Sequence, residues 1–234
     1  MAASRLYDGK DPRALPAYGL TEAARYLRIP AATLRSWVVG RTYPVQDGVG
    51  SFEPLIRPAD NARRRLSFEN LVEAHVLRGL RTQHSVDLKA VRPALEYAEK
   101  ELGIERLLLN NEPLLTYGGQ LFLERLGDLV NLSRAGQIAI RSMLIEHLKR
   151  VERDDAAIPI RLYPFLAAEI TSARSIVIDP RRSFGRPTVA GAGIRTEVVA
   201  NRINAGESVG DLVADYDLSE EQIRDALVFQ QTAA

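Results

Sequence analysis

Two short apolar-faced segments joined by a proline turn constrain this chain more than any other feature. Leu20-Thr21-Glu22-Ala23-Ala24-Arg25-Tyr26-Leu27 sets Leu20, Ala23, Ala24 and Leu27 on one face at helical spacing, with Thr21 as its cap. Arg28-Ile29-Pro30 is the turn, and Pro30 stands where a first-turn proline is tolerated. Ala31 to Val39 reads as a second helix, stopped by Gly40. If Leu34, Trp37 and Val38 pack inward, then Thr33, Arg35 and Ser36 face outward on a helix short enough to enter a major groove. The pair has a helix-turn-helix outline.

The following stretch, Phe52 to Leu66, carries Arg57 and the triplet Arg63-Arg64-Arg65. Gly48, Gly50, Pro54 and Pro58 make it a poor helix, so a basic β-ribbon is predicted there, a wing that would lie over phosphates. Ser67 then caps a helix with Phe68, Leu71, Val72, Val76 and Leu80 on its apolar face. A further helix carries Val91, Leu95, Ala98 and Leu102 in one stripe, with Pro93 marking a kink or a late start.

Charge supports that picture. Overall it is balanced at +1, but residues 1–90 carry 14 basic and 9 acidic side chains, whereas residues 176–234 carry 6 and 9. A cationic amino-terminal end suits a polyanionic partner. There are no cysteines, which removes disulfides, thiol catalysis and Cys-ligated zinc and fits a reducing cytoplasm. The three histidines, His75, His84 and His147, are not spaced for metal ligation, and no catalytic constellation stands out. We therefore expect no enzyme, no cofactor, no metal and, without an apolar run of about 20 residues, no membrane span.

Residues 106–173 change period. Leu107-Leu108-Leu109, Leu114 to Tyr117 and Leu129 to Leu132 read as short strands, with a hairpin about Gly118-Gly119. Ser133 caps a helix to about Val151 with Ile138 on its apolar face, and Ile158 to Pro164 reads as an edge strand. In the last third, Ser175 to Pro180 is a strand, and Arg181 to Pro187 a basic loop. Three helices follow, starting at Thr196, Ser208 and Ser219, the last with a capping box to Gln222. Glu220, Glu221 and Asp225 against a single Arg224 argue against a second DNA reader. Gly191-Ala192-Gly193 serves a tight turn better than a dinucleotide, because Thr196 replaces the third small residue.

The fold class expected is mainly α with small β elements. An arm covers residues 1–17, a winged helix-turn-helix with its following helices 18–105, a small α/β segment 106–173 and a trihelical unit 174–234.

The amino-terminal part resembles MerR-type regulators through Leu20-Thr21-Glu22-Ala23-Ala24, Thr33-Leu34-Arg35 and Arg65-Leu66-Ser67, although Ser36-Trp37 replaces the usual aromatic pair. The carboxy-terminal part is similar to a short domain found in VapB-type antitoxins. The shared features are Ile178-Asp179-Pro180, Phe184-Gly185-Arg186-Pro187, Ala190 to Ile194, Ala205-Gly206-Glu207-Ser208 and Asp215-Tyr216. The arrangement resembles the larger antitoxins of VapBC toxin–antitoxin modules.

That resemblance implies a homodimeric antitoxin that binds double-stranded operator DNA and neutralises a PIN-domain ribonuclease toxin. Thr33, Arg35, Ser36, Arg63, Arg64 and Arg65 would meet DNA. Because a PIN site is a carboxylate cluster, Arg181, Arg182 and Arg186 are candidates to block it; a second role, pairing with Asp179 or local carboxylates to hold the turn, stays open. A regulator without a toxin partner is the alternative.

Overall fold

Leu34, Trp37, Leu66, Phe68, Leu71 and Leu77 are all fully buried, and the amino-terminal helices assemble around them. The computed structural model describes residues 7, 9–45, 48–82, 88–109, 117–130, 134–166 and 174–231. The protein is mainly α with small β elements. Helices α1 (Leu20–Leu27) and α2 (Ala31–Val39) lead into a hairpin, β1 (Arg41–Val45) and β2 (Gly48–Phe52), followed by α3 (Phe68–Thr82) and α4 (Leu88–Lys100). Next come α5 (Tyr117–Val130), α6 (Arg134–Leu148), β3 (Val151–Arg153) and β4 (Pro159–Leu162). The chain closes with β5 (Ile176–Val177), β6 (Thr188–Val189), α7 (Thr196–Asn204), α8 (Val209–Tyr216) and α9 (Glu220–Gln231). Each sheet is a two-stranded antiparallel pair.

The wing lies earlier than the sequence suggests. Gly40, at φ 78°, turns the chain straight from α2 into β1, and the register Arg41↔Phe52 to Val45↔Gly48 closes the ribbon there. At Gly50, opposite Tyr43, a Cβ would sit 2.7 Å from that ring, so a larger residue there would have to displace it. Residues 53–66 form a loop instead, because their backbone groups are taken elsewhere. The N–H groups of Leu55 and Ile56 donate to Trp37 O (2.7 and 3.0 Å), and Asn70 bonds the backbone at Arg57 and Ala59 (3.0 and 3.1 Å).

Other expectations are also corrected. Thr21 does not cap α1; the cap is Gly19, whose N–H donates to the Glu22 carboxylate at 3.3 Å. Tyr117–Val130 is a helix rather than a hairpin at Gly118-Gly119. Its buried Phe122, Leu123 and Leu126 follow helical spacing, and Gln120 bonds Glu124 across one turn. Leu107-Leu108-Leu109 is a buried turn rather than a strand. Leu129 and Val130 end α5, while the rest of that proposed strand, the Ser133 cap and Leu114 to Thr116 lie outside the described residues. Ile138 is 60% exposed, not inward. Helix α4 begins at Leu88, so Pro93 falls inside it. Ser67 does cap α3, accepting from Asn70 N at 3.2 Å.

Helices α3 and α6 approach closely at Gly79, where a Cβ would collide with Met143 Sδ. Beside that crossing His75 and His147 lie buried 5.1 Å apart, both against Phe165. Strand β4 continues into the carboxy-terminal strand through reciprocal bonds between Leu162 and Ile178 (3.0 and 2.8 Å), so the middle segment and the last third share backbone pairing.

Candidate nucleic-acid interface

A nine-residue helix turns 100° per residue, and in α2 that rotation sorts the expected contact residues. Leu34, Trp37 and Val38 are buried as the pattern requires. Thr33 shares the face of Trp37 one turn on, and it is only 8% exposed. It does not point outward as expected. Arg35 is exposed and Ser36 half-buried, with the Ser36 hydroxyl donating to Thr33 O at 2.8 Å. The outer face of α2 is thus Ala32, Arg35, Ser36 and Val39, and its one charge is a guanidinium.

The wing adds a cation that the sequence reading missed. Arg41, the first residue of β1, is exposed directly beyond the end of α2. A basic residue immediately after the Gly40 stop was the available signal. Val49, near the far end of the ribbon, is 75% exposed. Among the described residues neither Arg35 nor Arg41 forms an ion pair, and α2 has no acidic residue in its first turn.

The arginine triplet divides. Asp60 and Arg65 exchange backbone bonds (3.1 and 3.0 Å), and Arg63 N donates to Asp60 Oδ1 at 2.9 Å. Arg64 adopts φ 52° at the turn. This loop presents Arg63 and Arg64 to solvent without ion pairs among the described residues, but Arg65 turns back. Its Nε and NH2 donate to the carbonyls of Pro16 and Ala17 (3.2 and 2.8 Å), and its backbone leads into the bridge between Tyr18 and Leu66. The triplet is therefore two displayed cations and one structural clamp.

The carboxy-terminal loop divides in the same way. Arg181 and Arg182 are exposed, whereas Arg186 pairs with Glu22 of α1. Asp179 is held by the Arg161 guanidinium at 3.1 Å and accepts the Arg181 backbone N–H at 2.8 Å. No loop guanidinium pairs with Asp179 among the described residues.

Arg186 belongs to a joint between the two ends of the chain. The buried Tyr18 hydroxyl donates to Gly185 O at 3.1 Å, and burial pushes that phenol well above its usual pKa. Tyr26 stacks on Phe229, and Arg28 lies 4.7 Å over the same ring while donating to Phe229 O at 2.5 Å. Burial lowers the Arg28 guanidinium to about 10. Glycine at 185 is obligatory: φ is +73°, and a Cβ would strike the Tyr18 hydroxyl.

The last three helices use their charges internally. Arg202 pairs with Glu207 and Asp215, and Arg224 pairs with Glu220 at 2.7 Å. Gly191 and Gly193, at φ 85° and 72°, are turn glycines. Thr196 is a first-turn residue behind the Arg195 cap, not the cap itself; fully buried, it bonds Pro187 O and Gln230. Among the described residues no group of three His, Asp or Glu is placed to hold a metal, and no helix is long and apolar enough to cross a membrane.

Fold and surface together define a winged helix-turn-helix protein with an appended three-helix unit. Residues 16–95 match a family described as "Putative DNA-binding HTH domain", and residues 176–229 match a "Protein of unknown function (DUF433)". A Mycobacterium tuberculosis protein named "Putative antitoxin VapB45" is 31% identical over 231 residues, covering 91% of this chain and 93% of the relative. The uncharacterized protein Rv2308 of the same organism is 26% identical over 219 residues, covering 90% and 88%. The crystal structure of Rv2018, again from that organism, superposes with a TM-score of 0.66 at 25% identity, covering 91% of this chain and 97% of that one. The chain belongs to the family of large VapB-type antitoxins.

Proposed function

We propose that this antitoxin binds its own operator DNA through α2 and the wing, as a homodimer, and that it neutralises a PIN-domain ribonuclease in the cytoplasm. On this reading it acts by binding and carries no enzymatic activity. The arm, the MerR-like winged segment of residues 18–105, the middle segment of 106–173 and the unit of 174–234 divide the work. The observation that carries the reading is the pair Arg35 and Arg41, displayed at the corner between a groove-sized helix and a ribbon and without an ion pair among the described residues. Phosphate contacts by such side chains supply affinity and register, while base edges supply sequence. Ser36, half-exposed beside Arg35, is the remaining polar group on that face. A dimer matches a two-fold operator with its own symmetry. For the toxin, Arg181 and Arg182 are the loop cations without an ion pair among the described residues; Arg186 pairs with Glu22 instead.

The test is a salt titration of binding to the DNA upstream of the chain's own gene. Replacing Arg35 and Arg41 by Ala should flatten the slope of log affinity against log salt by up to about 1.8, at about 0.9 per phosphate contact. The Arg63→Ala/Arg64→Ala pair has the same ceiling, and Arg65→Ala should leave the slope unchanged. An unaltered slope in both double variants would remove these surfaces from the interface.

A further inference from the structure

The loop from Arg181 to Phe184 holds an aromatic ring in solvent by a backbone that aromatic residues ordinarily avoid. Phe184 is 64% exposed. Ser183 and Phe184 both lie in the left-handed region, at φ 47° and 53°. Glycine or asparagine would take such a turn with less strain, and strained positions of this kind concentrate at functional sites.

The surrounding structure fixes the turn firmly. Arg182 N donates to Asp179 O (3.0 Å), Gly185 N to Arg182 O (2.9 Å) and Arg186 N to Ser183 O (3.0 Å). Asp179 receives Arg181 N and is itself anchored by Arg161. On one side the Tyr7 ring meets Phe184 edge-on at 6.5 Å, and its hydroxyl donates to Pro180 O at 3.1 Å. Behind the loop, Tyr18 fastens Gly185 and Glu22 fastens Arg186.

Arg181 and Arg182 precede this ring in the same loop, exposed and without ion pairs among the described residues. Asp11 feels the charge of Arg181, but its carboxylate is already held by the Arg13 Nε at 2.9 Å to both oxygens.

We infer that this loop is a docking point for a partner protein: Phe184 enters an apolar socket, and Arg181 and Arg182 meet carboxylates on its rim. The proposal rests on the antitoxin reading and names the surface and the chemistry through which the toxin is held. Buried aromatic and arginine anchors on a pre-ordered backbone are what interface hot spots are made of. A protein socket is favoured over a nucleic acid because residues 176–234 carry 9 acidic against 6 basic side chains, an anionic balance that a continuous polyanion would meet.

The experiment titrates the full-length chain with the purified product of the adjacent reading frame. Three forms are compared: wild type, Phe184→Gly, and Arg181→Glu with Arg182→Glu. Both variants should bind at least tenfold more weakly than wild type. Phe184→Gly should melt at or above the wild-type temperature, since glycine accepts φ 53° freely, so its weaker binding would not reflect unfolding. If both variants bind as wild type does, the docking loop is wrong while the antitoxin reading stands. If the wild-type chain itself does not bind, the toxin reading fails and takes the loop with it. A parallel arm with mixed-sequence single-stranded RNA covers the other class of partner: loss of RNA retention in Phe184→Gly, with protein binding intact, overturns the proposal.

Discussion

The two ends of this molecule present the same outline, short helices around a small core, but their helices are started by different means. Helices α1 and α2 have no hydroxyl cap: Gly19 and Pro30 occupy those positions. Their stability comes from large buried side chains, Tyr18, Trp37, Leu66 and Phe68. Helices α8 and α9 bury Leu212, Ile223, Ala226 and Phe229, and each starts with a full capping box, Ser208 with Asp211 and Ser219 with Gln222. The charges follow the same division. At the amino-terminal end Arg35, Arg41, Arg63 and Arg64 face water, whereas within the last three helices Arg202 and Arg224 pair with neighbouring carboxylates and the exposed Arg181 and Arg182 stand in the loop ahead of them. Fold outline alone therefore does not make a DNA reader; what matters is whether the cations are left free.

The largest effect should come from the core on which the first region depends. Trp37→Ala removes a fully buried indole and should cost about 3–5 kcal/mol. Because Tyr26 and Arg28 of that region hold Phe229 of α9, the loss should appear as one lowered melting transition for the whole chain. Two separate transitions, only one of them shifted, would show that the regions fold independently.

Acid should separate them next, since none of the three histidines belongs to the last third. Burial, assisted by the Arg78 and Arg150 guanidinium groups, lowers His147 to about 4, and burial with His147 beside it also depresses His75. An unfolded histidine takes its proton near 6.5. Between 6.5 and about 4 the unfolded chain thus binds more protons, so stability is full above that window and falls as the pH drops through it. The loss attributable to His147 reaches about 3 kcal/mol at the acid end. Thermal melts at pH 7.5 and 4.5 measure it, and His147→Leu should flatten the difference. An equal difference in the variant would locate the acid sensitivity elsewhere.

Much of this is readable in the sequence where a helix is amphipathic and bounded by a local start or stop, although the start of α1 is Gly19 and not Thr21. Residues 20–39, the Ser67 start of α3 and the Ser219 capping box are local features, and local signals suffice for them. The failures share a cause, which is that distant groups decided them. Residues 53–66 look as suited to a ribbon as 41–52 until Trp37 O and Asn70 claim their backbone. Gly118-Gly119 reads as a turn until Phe122, Leu123 and Leu126 find a core to enter. Three of the nine expected contact residues turn to the protein instead of to solvent. Thr33 follows from its own spacing, one turn before buried Trp37, whereas Arg65 is drawn to carbonyls 48 and 49 residues away and Arg186 to Glu22 across the chain. No residue spacing announces partners so remote.

A smaller effect is expected at the joint. Tyr18→Phe keeps the ring packed but leaves Gly185 O buried without its donor, at a cost of about 1–2 kcal/mol. If the joint is continuous, the same substitution should loosen Arg186 from Glu22. That would appear as faster amide exchange in both the loop of residues 181–187 and α1.

The smallest effect tests the difference in helix starts most directly. In Ser208→Ala the Asp211 N–H loses its acceptor, and in Ser219→Ala the Gln222 N–H does, each costing about 1 kcal/mol. These caps sit on exposed helix starts, so no cavity opens and the penalty stays near that of the lost bond. No comparable hydroxyl exists to remove at α1 or α2, and the nearest substitution, Thr21→Ala, should be nearly silent because Thr21 is exposed and is not the cap. Chemical denaturation of the three variants decides the matter. If Thr21→Ala costs as much as the two serine changes, the contrast between the two kinds of helix start is lost.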